Sequence, residues 1–301
     1  MVGYPRYLTD TGIARIVKRA RRNLAEDLID RAYDLSIGCL LHIFGEDWVD
    51  RNIADVSAHS HPTSLLNSEQ DRKILDRHKD DVISMCGLIL FGQSVKNVRP
   101  IISRIFLGEV EAGLFEIEVS RILFNQGLKF DVKVPTGTFG EDYDFEIFLP
   151  DGTTVAADAK CKLSSTSARD SSVINSLESA RKQLPKNRAG VIFVSYPEIW
   201  VDENTLKEIT PFLVDRFLKK TSRIHVVVVV IKFRTVESHL ITSGMIYHVI
   251  TNPSITACML KDPFKDLNDT PKLVPNVWSL ASGMGLHSPF PAIRWTDPKS
   301  F

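Results

Sequence analysis

The sequence has no two cysteines close enough together to suggest a metal knuckle. Its four cysteines, Cys39, Cys86, Cys161 and Cys258, are widely separated and no C-x-x-C occurs. They read as reduced thiols in a cytosolic protein, with neither a zinc site nor a disulfide framework. Long apolar runs are lacking too. The longest, Val226 to Ile231, is far too short to span a bilayer and reads as a buried β-branched strand. The opening residues, MVGYPRYLTDTG, hold no apolar signal core, so the expectation is a soluble, cytoplasmic protein with no membrane partner. Charge of one sign is not in excess, since 37 basic and 37 acidic residues give a formal net charge of zero. That excludes an all-over polycation but leaves room for a local basic patch. No G-x-S-x-G, P-loop or G-x-G-x-x-G is present, which removes the usual signatures of serine hydrolases, phosphate-loop enzymes and dinucleotide binders.

What is present is an ordinary globular composition. With 301 residues, 44% hydrophobic and 25% charged, the chain is long enough for one large domain or two smaller ones. Residues 1–105 are expected to form a helical N-terminal region. Ile13, Ile16, Val17, Leu24, Leu28 and Ile29 recur at helical spacing, and Leu35 to Phe44 continues the pattern. A polar stretch from Ser57 to Ser64 reads as a loop, and helix resumes from about Ser68 to Phe91 until Gly92 and Pro100 interrupt it.

From Gly108 the pattern changes to alternating elements, giving a second expected domain at residues 106–250. A helix from Glu109 to about Gln126 stops at Gly127, and strands follow at Lys129–Val134, Tyr143–Leu149 and Thr153–Leu163. A helix from about Ser171 to Leu184 carries Val173, Leu177, Ala180 and Leu184 on one side and Ser172, Ser176, Ser179 and Gln183 on the other. Then come a strand at Gly190–Tyr196, a helix at Thr210–Lys220 and strands at Ile224–Phe233 and Leu240–Ile250. Strand–helix–strand order from 190 to 233 implies a parallel pair, and the tight Pro150-Asp151-Gly152 turn implies an antiparallel one. The expected fold class is therefore α/β, a mixed sheet flanked by helices. Residues 251–301, rich in Pro, Asn, Ser and Gly, read as an irregular C-terminal segment.

The hairpin carries the chemistry. If Leu149 pairs near Thr153 or Thr154, Asp144 falls opposite Asp158. Asp142, Asp144 and Glu146 alternate onto one face, and Asp158 shares its face with Lys160. Like charges directly opposite repel, so two aspartates there need a reason, and a divalent cation is one. A solvated edge is the bland alternative. A D-x-K triplet alone means little, and Asp131-Val132-Lys133 is a second copy that lacks an upstream hairpin partner.

The succession of helix with Glu116, strand, acid-bearing hairpin, Asp158-Ala159-Lys160 strand, helix and strand resembles the PD-(D/E)xK nuclease superfamily, the restriction-endonuclease-like fold. In the helix, Phe115-Glu116, Val119, Ile122-Leu123 and Gly127 are similar to the F-E-x-x-V-x-x-L-L-x-x-x-G stretch of Mrr-type restriction enzymes. The spacing from Glu116 to Gly127 is also similar to that of archaeal Holliday junction resolvases. Glu118 points away from Glu116 around the helix, and the family register favours Glu116. Tyr143 stands where the motif has proline, and Asp158 where glutamate is commoner. The resemblance covers residues 108–196, less than a third of the chain.

The resemblance implies a DNA endonuclease using Mg²⁺ or Mn²⁺. Asp144 and Asp158 would hold the metal, Lys160 would orient or polarise the attacking water, and Glu116 would complete the metal environment. Gln183 and Lys162 are candidate supports. Arg181, Lys182, Lys186 and Arg188 are a candidate nucleic-acid-binding edge, with a solubilising face as the plain alternative. A catalytically inactive nuclease-fold protein, binding nucleic acid or serving as a protein scaffold, is the competing expectation. Apolar residues crowd at Ile37, Leu40, Leu41, Ile43 and Phe44 and again at Ile83, Met85, Leu88, Ile89 and Leu90. Such surfaces are buried against something, either the rest of the chain or a second copy, and a homodimer is the expectation.

Overall fold

A computed structural model of the chain describes residues 5–20, 28–53, 69–138, 140–163, 165, 169–197, 200, 210–237, 240–255 and 264. Two compact units divide it, the first built chiefly on Met1–Glu109 and the second on Val110–Arg234 with Ser243–Lys272. The expected loop at 57–64, Cys258 and nearly all of the C-terminal segment lie outside the described residues.

The first unit contains helices α1 (Asp10–Ala20), α2 (Leu28–Phe44), α3 (Glu46–Asn52), α4 (Glu69–Gly92) and α5 (Arg99–Phe106). Pro100 opens α5 rather than merely interrupting a helix, because its missing N–H is not needed in a first turn. Helix α2 packs on α4. Leu40, Ile43, Phe44, Ile83, Leu88, Ile89 and Leu90 are all buried within the chain. The two apolar clusters therefore find cover without a second subunit, with Leu41 left partly exposed. That burial removes the reason given above for a homodimer. The Trp48 indole donates to the Ile105 carbonyl at 3.1 Å, and its ring lies 4.3 Å from that of Phe44. Among the described residues, no helix is long and apolar enough to cross a membrane.

The second unit is α/β. Helix α6 (Val110–Asn125) leads into β1 (Lys129–Val132), β2 (Phe145–Phe148) and β3 (Thr154–Cys161); α7 (Asp170–Gln183), β4 (Gly190–Tyr196), α8 (Thr210–Leu218), β5 (Ile224–Glu237) and β6 (Leu240–Thr251) follow. The six strands form one mixed sheet in sequence order, β1 through β6. Antiparallel pairing joins β1 to β2 and β2 to β3, while β3–β4 and β4–β5 are parallel. Local chemistry explains the joints. Gly127 closes α6 with φ 66°, and Leu128 N–H reaches the Leu123 carbonyl at 3.0 Å, a left-handed helix ending that favours glycine. At the β2–β3 turn Gly152 takes φ 84°, and Thr153 N–H is held by the Asp151 carboxylate at 2.9 Å.

Every residue of β4 is buried, and so is each from Val226 to Ile231 in β5. A strand covered on both faces needs no alternation, which explains the unbroken β-branched run. Val173, Leu177, Ala180 and Leu184, the apolar stripe of α7 and the residue that ends it, pack with Leu213, Val214 and Phe217 of α8 onto Ile192, Val194, Val227 and Val229. Helix α6 packs against β1 and β3.

Candidate active site

The hairpin frames the acids. Phe145 stands opposite Ala157 and Phe148 opposite Thr154, so the paired register stops one residue short of Asp144 and Asp158, and the Asp144 charge is felt at Asp158. Asp144 itself lies just ahead of β2, and its N–H donates at 3.1 Å to the carbonyl of Ala157, the partner of Phe145. The Asp144 carboxylate then accepts the N–H of Ala159, the middle residue of the triplet, at 2.7 Å. Asp144 is thus tied to β3 through both its main chain and its side chain.

Asp158 occupies the interior of β3, between β2 and β4, and is fully buried. Its Oδ2 lies 2.7 Å from Lys160 Nζ. Neither oxygen has a hydrogen-bond partner, so the Lys160 contact is an ion pair. Burial is the first reason its carboxyl is held well above the usual range; the Asp144 charge is the next, Lys160 pulls the other way, and Glu116 adds to the rise. Lys160 reaches onward to α7, where its ammonium donates to the Gln183 side-chain carbonyl. Two D-x-K residues, the neighbouring aspartate and a helix glutamine therefore form one cluster.

Helix α6 buries both of its inner glutamates. Glu118 is matched locally by Arg121, whose guanidinium sits 2.8 Å away. Glu116 is the one whose charge is felt at Asp158. Lys162 is half-buried at the end of β3, and burial lowers its pKa; its N–H joins the Ser195 carbonyl at 3.0 Å.

The basic edge divides in two. Arg181 is paired with Glu178 at 2.5 Å, and Arg188 with Glu146 at 2.6 Å and the Tyr143 hydroxyl at 3.1 Å. Lys182 and Lys186 are exposed, and among the described residues neither has an ion-pair partner. Asp142 does not join the acids of the hairpin. Its carboxylate turns back to accept Thr136 N–H at 2.7 Å and Gly137 N–H at 3.1 Å, because the chain is no longer an extended strand there. Lys133, Glu146 and Arg223 lie beside this edge and are absent from the expectations above as contact residues. The signal for Glu146 was its alternation with Asp144; Arg223 had none.

The chemistry of the donor set fits a divalent cation. A buried carboxylate with neither oxygen in a hydrogen bond, beside a second aspartate and within reach of a glutamate's field, is short of positive charge. Among the described residues no three acidic, histidine or cysteine side chains are grouped so as to hold a metal by themselves. Magnesium does not require that, since it is commonly held by one or two carboxylates together with water and substrate phosphate. Compared with known proteins, the chain matches no family model, no curated protein and no solved structure.

Proposed function

We propose that the second unit is a divalent-metal-dependent phosphodiesterase of the PD-(D/E)xK type. Its substrate class is DNA, which makes the protein an endodeoxyribonuclease. The single observation that supports this reading is the buried Asp158 carboxylate, ion-paired with Lys160, with neither oxygen in a hydrogen bond, in the field of the Asp144 charge.

Each side chain then has a role set by its surroundings. Asp158 and Asp144 hold the cation. Divalent metal supplies Lewis-acid chemistry, stabilising charge at the phosphate and acidifying water. Lys160 is kept beside the reacting centre by Asp158 on one side and Gln183 on the other, so its positive charge is in place before the phosphate becomes more negative. Gln183 is a positioning residue that acts through Lys160. Glu116 sits in the electrostatic reach of Asp158 and supports the metal environment or the attacking water.

One observation favours the inactive-scaffold reading. Lys160 already has two internal partners, as a purely structural ion pair would. The two readings part in a cleavage assay on supercoiled and linear DNA with Mg²⁺, Mn²⁺ or EDTA. Cleavage with Mg²⁺ or Mn²⁺, its loss in EDTA, and a fall of about 10² or more in Lys160→Ala with DNA affinity retained support the enzyme. Undiminished cutting in excess EDTA overturns the metal mechanism. No cutting under any condition, with Lys160→Ala unchanged in binding, supports the scaffold.

A further inference from the structure

A cleft of about 550 Å³ opens in the second unit between the segment that joins β1 to β2 and the turn that follows α7. Five cationic residues line it: Lys133, Lys182, Lys186, Arg188 and Arg223. Among the described lining residues Glu141 is the one carboxylate. Glu146 neutralises part of the set, lying 3.6 Å from Lys133 and 2.6 Å from Arg188. Lys182 and Lys186 remain exposed and without an ion pair among the described residues. The cleft therefore carries an excess of positive charge inside a chain whose formal net charge is zero.

Arg223 makes the case for a built site. Its guanidinium donates to the Leu184 carbonyl at 3.1 Å and to the Arg181 carbonyl, so two main-chain oxygens hold it in place. Burial lowers its pKa, the nearby Arg181 charge lowers it further, and Glu178, the ion-pair partner of Arg181, works the other way. A guanidinium held in place by neutral main-chain acceptors keeps its full charge for a bound anion.

Geometry also narrows the type of anion. The Tyr143 ring, the cleft's aromatic surface, has Lys133 Nζ 5.6 Å and Arg188 Cζ 5.8 Å from its centre. Two cations already use that ring, so stacking a nucleobase there requires displacing them. Phosphate needs no such rearrangement, and the lysines and guanidinium are its ordinary donors. Position along the chain joins the cleft to the acid cluster at two points. Tyr143 precedes Asp144, and Lys182 precedes Gln183, the partner of Lys160.

We propose that this cleft is a phosphate-binding pocket that holds a backbone or terminal phosphate of the nucleic-acid strand, distinct from the phosphate being cleaved. The choice of nucleic acid as the source rests on the function proposed above; the pocket itself rests on the charge, the cleft and the covered tyrosine. Such contacts fix the position of a strand without reading its sequence.

The test is equilibrium binding by the full chain in EDTA, where no cutting occurs. The probes are fluorescent oligonucleotides, single- and double-stranded, with and without a 5′-phosphate, over a range of KCl concentrations. The Lys182→Ala/Lys186→Ala double variant should weaken binding of unrelated sequences equally and reduce the slope of log affinity against log salt by about two. Charge reversal, Lys182→Glu/Lys186→Glu, should weaken it further. A preference for the 5′-phosphorylated probe that disappears in the double variant assigns a terminal phosphate; an equal loss on both probes assigns a backbone phosphate. Inorganic phosphate should compete for the wild type. Unchanged affinity and slope in both double variants, with melting temperatures like the wild type's, overturns the pocket. In a parallel assay with Mg²⁺, cutting by the double variants that keeps the wild-type rate, with an unchanged binding slope, sinks the pocket alone. Intact salt-dependent binding without any cutting sinks the enzyme reading and leaves the pocket standing.

Discussion

The chain carries the same triplet twice, on two strands of one sheet, and the two copies live in different physical worlds. Asp131-Val132-Lys133 begins in β1, the first strand of the sheet, which has one neighbour. Asp131 stands directly opposite Glu146, an acid facing an acid. Cations settle that encounter, with Lys133 at 3.6 Å and Arg188 at 2.6 Å from the Glu146 carboxylate. Asp158-Ala159-Lys160 lies in β3, with β2 on one side and β4 on the other, and its aspartate is fully buried. There the neighbouring acid is Asp144, Lys160 is the countercharge, and neither oxygen of Asp158 finds a hydrogen bond. Residue type and spacing are identical. Low local dielectric is the difference: the half-buried Asp131 tolerates its neighbour, while at the buried Asp158 the same repulsion helps hold the carboxyl well above its usual range.

The largest expected effect tests that contrast directly. Asp158→Asn should lower Mg²⁺-dependent cleavage by about 10² or more, whereas Asp131→Asn should remain within about twofold of the wild type. Equal losses would erase the distinction between the copies. Metal binding gives the same contrast without an activity readout: Mg²⁺ or Mn²⁺ should raise the melting temperature of wild type and Asp131→Asn but not that of Asp158→Asn.

Next in size is the positioning of Lys160. Gln183→Ala removes its helix partner, so kcat should fall about tenfold, in keeping with loss of one charged hydrogen bond, while DNA affinity is retained. Gln183→Glu should restore the contact but shift the pH profile of kcat. No change in either variant would leave the Lys160–Gln183 contact without a catalytic role.

Stability in the absence of metal should move less, and in the opposite direction from activity. Because the folded pKa of Asp158 is raised, its neutral form is the one the fold favours. Its contribution is fully present below the unfolded carboxylate pKa of about 4 and is lost as pH rises through the elevated folded value. In EDTA near pH 8, Asp158→Asn should therefore melt about 2–4 °C above the wild type, with the gap narrowing as the pH falls. A variant that melts lower at every pH would contradict the sign. The smallest effect belongs to Asp142, whose carboxyl is lowered by the N–H groups of its loop, Thr136 first. Its contribution has the reverse sign, present above the unfolded pKa and lost as the pH falls through the lowered folded value, so Asp142→Ala should shift melting slightly at pH 7 and progressively less in acid.

Much of the fold was legible because periodicity is a local property. The α7 stripe of Val173, Leu177 and Ala180, ended by Leu184, is the buried face observed, and Gly127 and Gly152 end a helix and close a turn as their types suggest. The hairpin register from Phe145 to Phe148 followed from its three-residue turn. Three things were not legible. Apolar clusters in α2 and α4 look alike whether they meet each other or another chain, and their burial within one chain is a tertiary fact. Asp142 shares the parity of Asp144, but both lie ahead of β2, where alternation no longer applies, and Asp142 turns to Thr136 instead. Arg223 is far in sequence from Lys133 and Lys182, so their shared cleft leaves no trace in spacing.

By itself the amino-acid order determined the element types, the mixed sheet and the hairpin register, because these depend on neighbours within a few residues or across one turn. Only the tertiary structure decided which D-x-K copy is desolvated, which of two helix glutamates is felt at the site, and where uncompensated positive charge collects. Those outcomes depend on burial and on distances between remote segments, and electrostatic strength follows burial rather than residue type.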